Sequence, residues 1–517
     1  MPEAILGPHL KSAIRNYALL FFGCLLFHVA GTWSLPLIDR DEPRFAEASR
    51  EMIERGDYVV PYFNNQVRLD KPPLTYWAQT ASYKIFGEND FAARFPSAVA
   101  AAFVALSIFG WGSRLRPLRR PSASQVRIGG TEVGWWAAII ITLSLQTFLH
   151  AKAAVADMWL VLFVTLAHWS GYELIGFANR PRATSDLTIQ RFNDLTIRRA
   201  RQWWFIFYLS LAFGFLAKGP IGWIPLLTVG STMLFVRETQ LARRFQFARG
   251  VLLTLAIVAI WGVPALIETH GEFFTIGIGR HVVGRSLVTM EGHGPNSFGM
   301  YLLLLPFYFV TIFISFFPWS IKLPWLTRKL WLNRDKIDHY LIAGIAVIFI
   351  IFSLIKTKLP HYTLPALPLL ALLLARRLAT ENPKRFFRNC AAASALACFA
   401  IALAAPPLIA RYFPAHQLFQ ESRTYLQPST EFAAVEFEEP SLVWYFRSRL
   451  NSFLVPMNGR RAEEFMVEPG RRFVIVPTPL VGTLFADHPA GWKFFSTRGL
   501  NIAKGKHVDL TLVLRPD

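Results

Sequence analysis

Apolar runs long enough to cross a bilayer recur along this chain as far as residue 409, with basic residues gathered in the gaps between them. A helix needs about 20 mostly apolar residues to span hydrocarbon. Runs of that kind lie near 14–34, 92–111, 133–149, 153–176, 203–217, 219–236, 250–267, 298–321, 339–355, 362–379 and 388–409. With 53% hydrophobic and 15% aromatic residues, the expectation is a mainly α, polytopic membrane protein of eleven to thirteen crossings. The tightly turned stretches 133–176 and 203–236 set that range. The first run, "YALLFFGCLLFHVAGTWSL", follows Lys11 and Arg15 and meets no small-residue cleavage site, so it reads as a retained helix rather than a signal peptide. Cys24, Cys390 and Cys398 all fall inside apolar runs, which supports neither a disulfide framework nor a thiolate metal site.

A net charge of +20 would suit a nucleic-acid partner if it formed one patch. It is instead divided among "RLRPLRRPSASQVR" (114–127), "RRARQ" (198–202), "RETQLARRFQFAR" (237–249), "TRKLWLNRDK" (327–336) and "RRLATENPKRFFR" (376–388). These alternate with acidic or sparsely basic connections. That is the positive-inside pattern, and it puts the N-terminus in the cytoplasm and the C-terminus outside. No nucleic-acid partner is expected.

Two outer segments are long. Residues 35–91 contain two amphipathic stretches, "PRFAEASREMIER" and "LTYWAQTASYKIF". The first sets Phe45, Ala48, Met52 and Ile53 on one side and Glu47, Arg50, Glu51 and Glu54 on the other, as in a helix lying at the membrane interface. The second outer segment, 268–297, is polar and glycine-rich. Residues 1–410 read as the membrane domain. Residues 411–517 carry strand-like "FAAVEF", "FVIVP" and "VDLTLVL" with a helical "SLVWYFRSRL", so a small outer α/β domain is expected there.

On that topology, polar residues from distant positions collect at the outer ends of the spans: Asp41, Glu42, Arg44, Asp70, Lys71, Lys152, Asp157, Lys218, Arg280, His281, Arg285, Lys356, Lys358, His361 and Tyr362. The span midplanes hold few ionisable groups, unlike a secondary transporter, whose charges sit near the midplane. Several cations with a few carboxylates at a shallow outer cavity suit an anionic headgroup on a lipid. Each group also has a plainer reading. Asp41 and Glu42 before Pro43 look like a helix start, Lys218 could snorkel from a tight turn, and His281 could be a surface residue. Asp157 heads an apolar helix, where a carboxylate needs a partner, and Lys152 is the expected one.

At these residues the chain resembles a known family. "DRDEPRFAEASREMIERGDYVVPYFNNQVRLDKPPLTYW" is similar to the first outer loop of the ArnT/PMT-type lipid-linked-sugar glycosyltransferases, family 39, with the GT-C fold. "AKAAVADMWLVLFVTLA", "LAKGPIG", "EFFTIGIGRHVVGR" and "KTKLPHYTLPALPLLAL" resemble later blocks in the same order, and the likeness covers roughly residues 14–380. It implies a multi-pass inner-membrane enzyme, monomeric, with its site facing the periplasm. Such an enzyme takes a sugar from undecaprenyl phosphate and passes it, with inversion, to lipid A or another envelope acceptor. Asp41 then matches the catalytic loop aspartate, Asp157 the second aspartate and Arg44 the nearby arginine. Lys71, Lys218 and Tyr362 match groups near the donor phosphate. Asp70 and His281 match a pair that can hold a divalent metal (Zn, Mg or Mn). The family usually has glutamate where this chain has Asp70. The shorter arm weakens the metal reading and leans towards a sugar or acceptor other than aminoarabinose and lipid A.

The candidate catalytic carboxylates are therefore Asp41, Glu42 and Asp157. The candidate phosphate-holding groups are Arg44, Lys71, Lys218, Arg285, Lys358 and Tyr362. The chemistry expected is a single displacement at the anomeric carbon, with cations and a tyrosine hydroxyl stabilising the departing phosphate and Asp41 acting as base or orienting the acceptor. The alternative is a transporter or binding protein for the same polyprenyl-phosphate lipid.

Overall fold

A computed structural model describes residues 8–115, 123–178, 187–236, 243–284, 294–295, 297–379, 384–502 and 504–516. Helices dominate to residue 425. α1 (Pro8–Val29) is followed by two outer-loop helices, α2 (Asp41–Arg55) and α3 (Leu74–Phe86), with a two-residue hairpin, β1 (Tyr62–Phe63) and β2 (Gln66–Val67), between them. Then come α4 (Asp90–Gly112), α5 (Ala123–Leu143), α6 (Leu145–Ala151), α7 (Asp157–Ala178), α8 (Leu187–Lys218), α9 (Ile224–Val236) and α10 (Phe247–Glu268).

Among the described residues, seven helical segments are long and apolar enough to cross a membrane, and α5 with α6, bent by 67°, would be an eighth. The expected count is larger for identifiable reasons. The runs 203–217 and 219–236 join through a 3-10 turn at Gly219–Trp223 into one apolar stretch. The run 298–321 is broken into α11 (Phe298–Leu303), α12 (Phe307–Ser315) and a 3-10 turn. Prolines do much of the breaking, since Pro306 and Pro318 lack the N–H that would continue the ladder. After α13 (Leu323–Leu332) and α14 (Lys336–Leu354), the run 362–379 likewise divides into a 3-10 segment, Pro360–Ala366, and α15 (Leu367–Leu378). α16 (Lys384–Ile409) ends the apolar part.

One end of α14 is locked by charge. Asp335 and Asp338 form a capping box there, and Arg376 and Arg377 at the end of α15 bond both carboxylates. The other end of α14 leads, about 28 Å away at 1.5 Å per residue, into the 355–362 turn beside the cavity described below.

The C-terminal part follows α17 (Pro414–Ser422). Its five-stranded sheet has the order β4-β3-β5-β7-β6, from β3 (Glu431–Val435), β4 (Val455–Met457), β5 (Arg472–Pro477), β6 (Lys493–Asn501) and β7 (Lys506–Arg515). β3 pairs in parallel with β4 and β5, and β7 runs antiparallel to β5 and β6. Buried runs in β3 and β5 give it two covered faces. α18 (Pro440–Arg447) lies between this sheet and the outer loop, and every one of its residues is buried.

That contact changes the reading of α2. Its apolar side packs as expected, with Phe45, Ala48 and Met52 against Tyr76 and Ala156. The charged side was expected to face water. Instead Glu47, Arg50 and Glu51 are buried: α18 covers Glu47 and Arg50 and supplies their partners, and Glu51 accepts from the Asn64 and Asn65 N–H groups. Arg447 bonds Glu47 at 2.6 Å and Glu54 at 2.8 Å. Arg50 bonds Glu47 at 2.6 Å and the Trp444 carbonyl at 3.0 Å, with its guanidinium over the Trp444 ring. Trp444 and Tyr445 reach Asp90 at the head of α4, and the Tyr445 hydroxyl also accepts from the Leu37 N–H.

Candidate active site

Six pieces of chain meet at one cavity of about 840 Å³. The first turn of α2 brings Asp41; the 68–73 turn brings Asp70 and Lys71; the end of α6 brings His150. The head of α7 and the end of α8 bring Asp157 and Lys218, and the 3-10 segment 360–366 brings His361 and Tyr362. α10 contributes an apolar wall of Leu255, Val258, Val263 and Leu266, closed by Phe273 and Phe274.

Local chemistry explains the placements. Asp41 is not the cap of α2: the cap position is Arg40, and no side chain caps the helix. Asp41 instead stands in the first helical turn, exposed and lining the cavity. Asp157 likewise heads α7 and is buried. Its partner is Lys218, whose Nζ lies 2.6 Å from Oδ1. The expected partner Lys152 is turned away: it donates to the carbonyls of Phe27, His28 and Ala30 and so closes the open end of α1.

Lys218 is set by a tight reversal. Gly219 takes φ +77°, and Gly222 sits so close to Gly214 that a Cβ there would lie 2.3 Å from the Gly214 carbonyl carbon. Glycine is required at both for different reasons, a left-handed backbone at one and a close approach at the other.

Asp70 is engaged by two cations, Lys71 on Oδ1 at 2.7 Å and Arg68 on Oδ2 at 3.1 Å. Arg68 is itself fixed by the Tyr76 hydroxyl at 3.0 Å. Arg44 is half-buried on α2 outside the lining of the cavity. Burial and the neighbouring Arg68 guanidinium hold its pKa below the usual arginine range, against the pull of Asp41.

Two expected site residues are used elsewhere. Glu42 is buried in a two-point ion pair with Arg94, at 3.0 and 2.6 Å, and also accepts from the Ala154 and Ile38 N–H groups. Its acceptor capacity ties the outer loop to α4 and to the turn before α7, and it does not line the cavity. Lys358 donates to the carbonyls of Phe352, Ser353 and Ile355, closing the end of α14 as Lys152 closes α1. Arg285 lies outside the described residues, as does the side chain of His281. The expected metal pair of Asp70 and His281 therefore has only Asp70 in view, with both carboxylate oxygens already bonded to cations.

A different set of metal-type ligands does come together. Ligand atoms of His150, Asp157 and His361 lie within 4.8 Å of one another. His361 stood among the outer-end polar residues, but His150 was missed. The signal was available in "HAKAAVAD", where a histidine ends one apolar turn seven residues before the aspartate that begins the next helix.

Among known proteins, no family model matches the chain. An uncharacterised protein of Aquifex aeolicus is 24% identical over 352 residues, 67% of this chain and 60% of the relative. The undecaprenyl phosphate-alpha-4-amino-4-deoxy-L-arabinose arabinosyl transferase of Aeromonas salmonicida is 28% identical over 376 residues, 71% of this chain and 61% of that one. The match thus spans about three fifths of the length of these relatives. The crystal structure of ArnT from Cupriavidus metallidurans bound to undecaprenyl phosphate superposes with a TM-score of 0.70 at 16% identity, covering 97% of this chain and 98% of that one. Its apo form gives 0.68 at 17% identity. The chain is therefore ArnT-like in sequence over about two thirds of its length and has the ArnT GT-C fold over nearly all of it.

Proposed function

We propose that this protein is an inverting glycosyltransferase of the inner membrane. It moves a sugar from a polyprenyl-phosphate donor to a lipid A-like or other cell-envelope acceptor at the periplasmic face. The observation that carries this reading is the cavity itself. Two lysines, a tyrosine and two further carboxylates surround Asp41 at one end of an apolar wall, the arrangement a headgroup with a long hydrocarbon tail requires. Relatives named for transfer from undecaprenyl phosphate and a fold shared with a protein crystallised with that lipid support the donor class. The alternation of basic connections along the chain supports the orientation.

In this mechanism the acceptor oxygen forms its bond to the anomeric carbon as the bond to the phosphate oxygen breaks. Lys71 and Lys218 stabilise the charge gathering on the departing phosphate, and the Tyr362 hydroxyl donates to it. Asp41 takes the proton when the acceptor is a hydroxyl, and orients the acceptor when it is a phosphate. Asp157 holds Lys218 in place. The chain acts as a monomer.

The test is sugar transfer by purified protein and its Asp41→Asn variant with a panel of undecaprenyl-phosphate sugars and lipid A, followed by mass spectrometry. Transfer by wild type, reduced at least about 10²-fold in the variant while donor binding survives, is expected. Equal rates would reduce Asp41 to a scaffold residue.

A further inference from the structure

The proposed transfer uses the lysines and Asp41, and leaves two histidines facing Asp157 without a task. His150, Asp157 and His361 come from three separate rigid mounts: the end of α6, the head of α7 and a 3-10 turn fixed by Pro360. The imidazole rings lie 5.1 Å apart between centroids, and all three residues line the cavity. From these observations we infer a divalent-metal site of the zinc class, with the two imidazoles and the Asp157 carboxylate as ligands and a fourth position open to the cavity.

Three arguments carry this. The first is the donor set. Two imidazoles and one carboxylate suit zinc and its borderline neighbours, whereas magnesium and calcium prefer sites made of oxygens. The second is reach. Tetrahedral zinc with bonds of about 2.0–2.1 Å holds its ligand atoms roughly 3.4 Å apart. Donor atoms already within 4.8 Å of one another close to that spacing by small side-chain rotations.

The third is support behind the ligands. His150 Nδ1 lies 3.1 Å from both the Gln146 carbonyl oxygen and the Gln146 side-chain Nε2; in the tautomer that donates to the carbonyl, which metal binding selects, Nε2 carries the lone pair. A metal-binding histidine is commonly oriented in this way by its other nitrogen. Gln146 is tied in turn to Ser315 at 3.3 Å. Lys218 plays the same part for the carboxylate: it bonds Oδ1, and the metal takes Oδ2. The added positive charge beside Lys218 is offset by Asp41 on the same cavity.

The experiment reads the metal without any sugar donor, so its failure leaves the glycosyltransferase reading standing. Full-length protein in detergent is stripped with chelator and titrated with Co(II), then with Zn(II) in competition. The measurements are metal content per chain and the ligand-field absorption of four-coordinate Co(II). Expected are one Co(II) per chain, displaced by Zn(II), and a loss of affinity of at least about tenfold in both His150→Ala and His361→Ala. Asp70→Asn should bind as wild type does. Size-exclusion elution of each variant shows that it remains folded. No stoichiometric metal on wild type would overturn the inference. So would affinity lost in Asp70→Asn but retained in the two histidine variants.

Discussion

Arg447→Ala should loosen the C-terminal sheet from the outer loop without disturbing the membrane helices. The Glu47 side chain is fully buried, and its two oxygens accept from Arg447 and Arg50, each at 2.6 Å. Removing one partner of a buried ion pair costs about 3–5 kcal/mol, because the remaining charge stays out of water. The lower end applies here. Arg50 remains on Glu47, and Glu54, the other partner of Arg447, is 41% exposed and can hydrate. A loss of about 3 kcal/mol is roughly a hundredfold change in an opening equilibrium, at about 1.4 kcal/mol per factor of ten. Hydrogen exchange in detergent should therefore show the amides of α18 and α2 exchanging about 10²-fold faster, while those of α7 and α8 hold their wild-type rates. Adding Glu47→Gln removes the stranded charge, and the double variant should regain part of the loss as a non-additive coupling. Unchanged exchange in α18, or strict additivity, would refute the idea that this ion network joins the two parts.

Three further outcomes are expected. Gly222→Ala should lower the thermal midpoint, since its Cβ would meet the Gly214 backbone at 2.3 Å. A forced backbone shift of this kind costs roughly 1–3 kcal/mol, and differential scanning fluorimetry would measure it. Lys218→Met should reduce transfer at least about 10²-fold; combining it with Asp157→Asn should restore thermal stability by removing the unpaired carboxylate, while transfer stays low. Asp39, half-buried beside Ser441, has its pKa raised from 3.8 to about 7 by desolvation, with Glu439 adding to the rise and the Ser441 hydrogen bonds and Arg44 opposing it. A raised acid favours the folded state while protonated, so its contribution is whole below pH 3.8 and is lost as pH rises through 7. Thermal melts of Asp39→Asn at pH 5 and pH 8 should show a smaller fall than wild type.

Reading these elements from sequence worked where one physical rule dominated. Apolar length alone located α1, α4, α7, α10, α14 and α16, and short strand-like runs of β-branched and aromatic residues located β3, β5 and β7. The same topology gathers Asp41, Asp70, Lys71, Asp157, Lys218 and Tyr362 at the outer ends of the spans, because a charge at the end of an apolar helix must face either water or a partner. Choosing the partner was a different problem. Lys152 lies five residues from Asp157 and Lys218 lies sixty-one away, yet the distant one makes the bond. Nothing in the order of residues says which carbonyls a lysine will cap. Glu42 was misread for a related reason. It stands beside Asp41 in the same outer-loop segment, but a step of one residue turns it about 100° around α2, towards Arg94 and away from the cavity. The charged side of α2 was equally opaque, since amphipathic spacing cannot distinguish a face meant for water from one meant for an oppositely charged helix.

Asp41 is in the first turn of a fifteen-residue helix that lies outside the spans and has no membrane crossing of its own to anchor it. An apolar underside alone would fix its depth while leaving it free to slide and rotate at the membrane surface. Position along the axis is set by directional bonds, and α2 has them at both ends and in the middle. Glu42 is pinned by Arg94, Glu47 and Glu54 by Arg447, and Glu51 by the Asn64 and Asn65 N–H groups. These partners come from α4, from α18 and from the β1–β2 turn. The cost of burying so many charges is tolerable only if each is paired, so slippage by one residue would strand several at once. The same network that attaches the C-terminal sheet thus fixes where the Asp41 carboxylate stands relative to Lys71 and Lys218. This explains why a polar face on a surface helix is covered by protein rather than left to water.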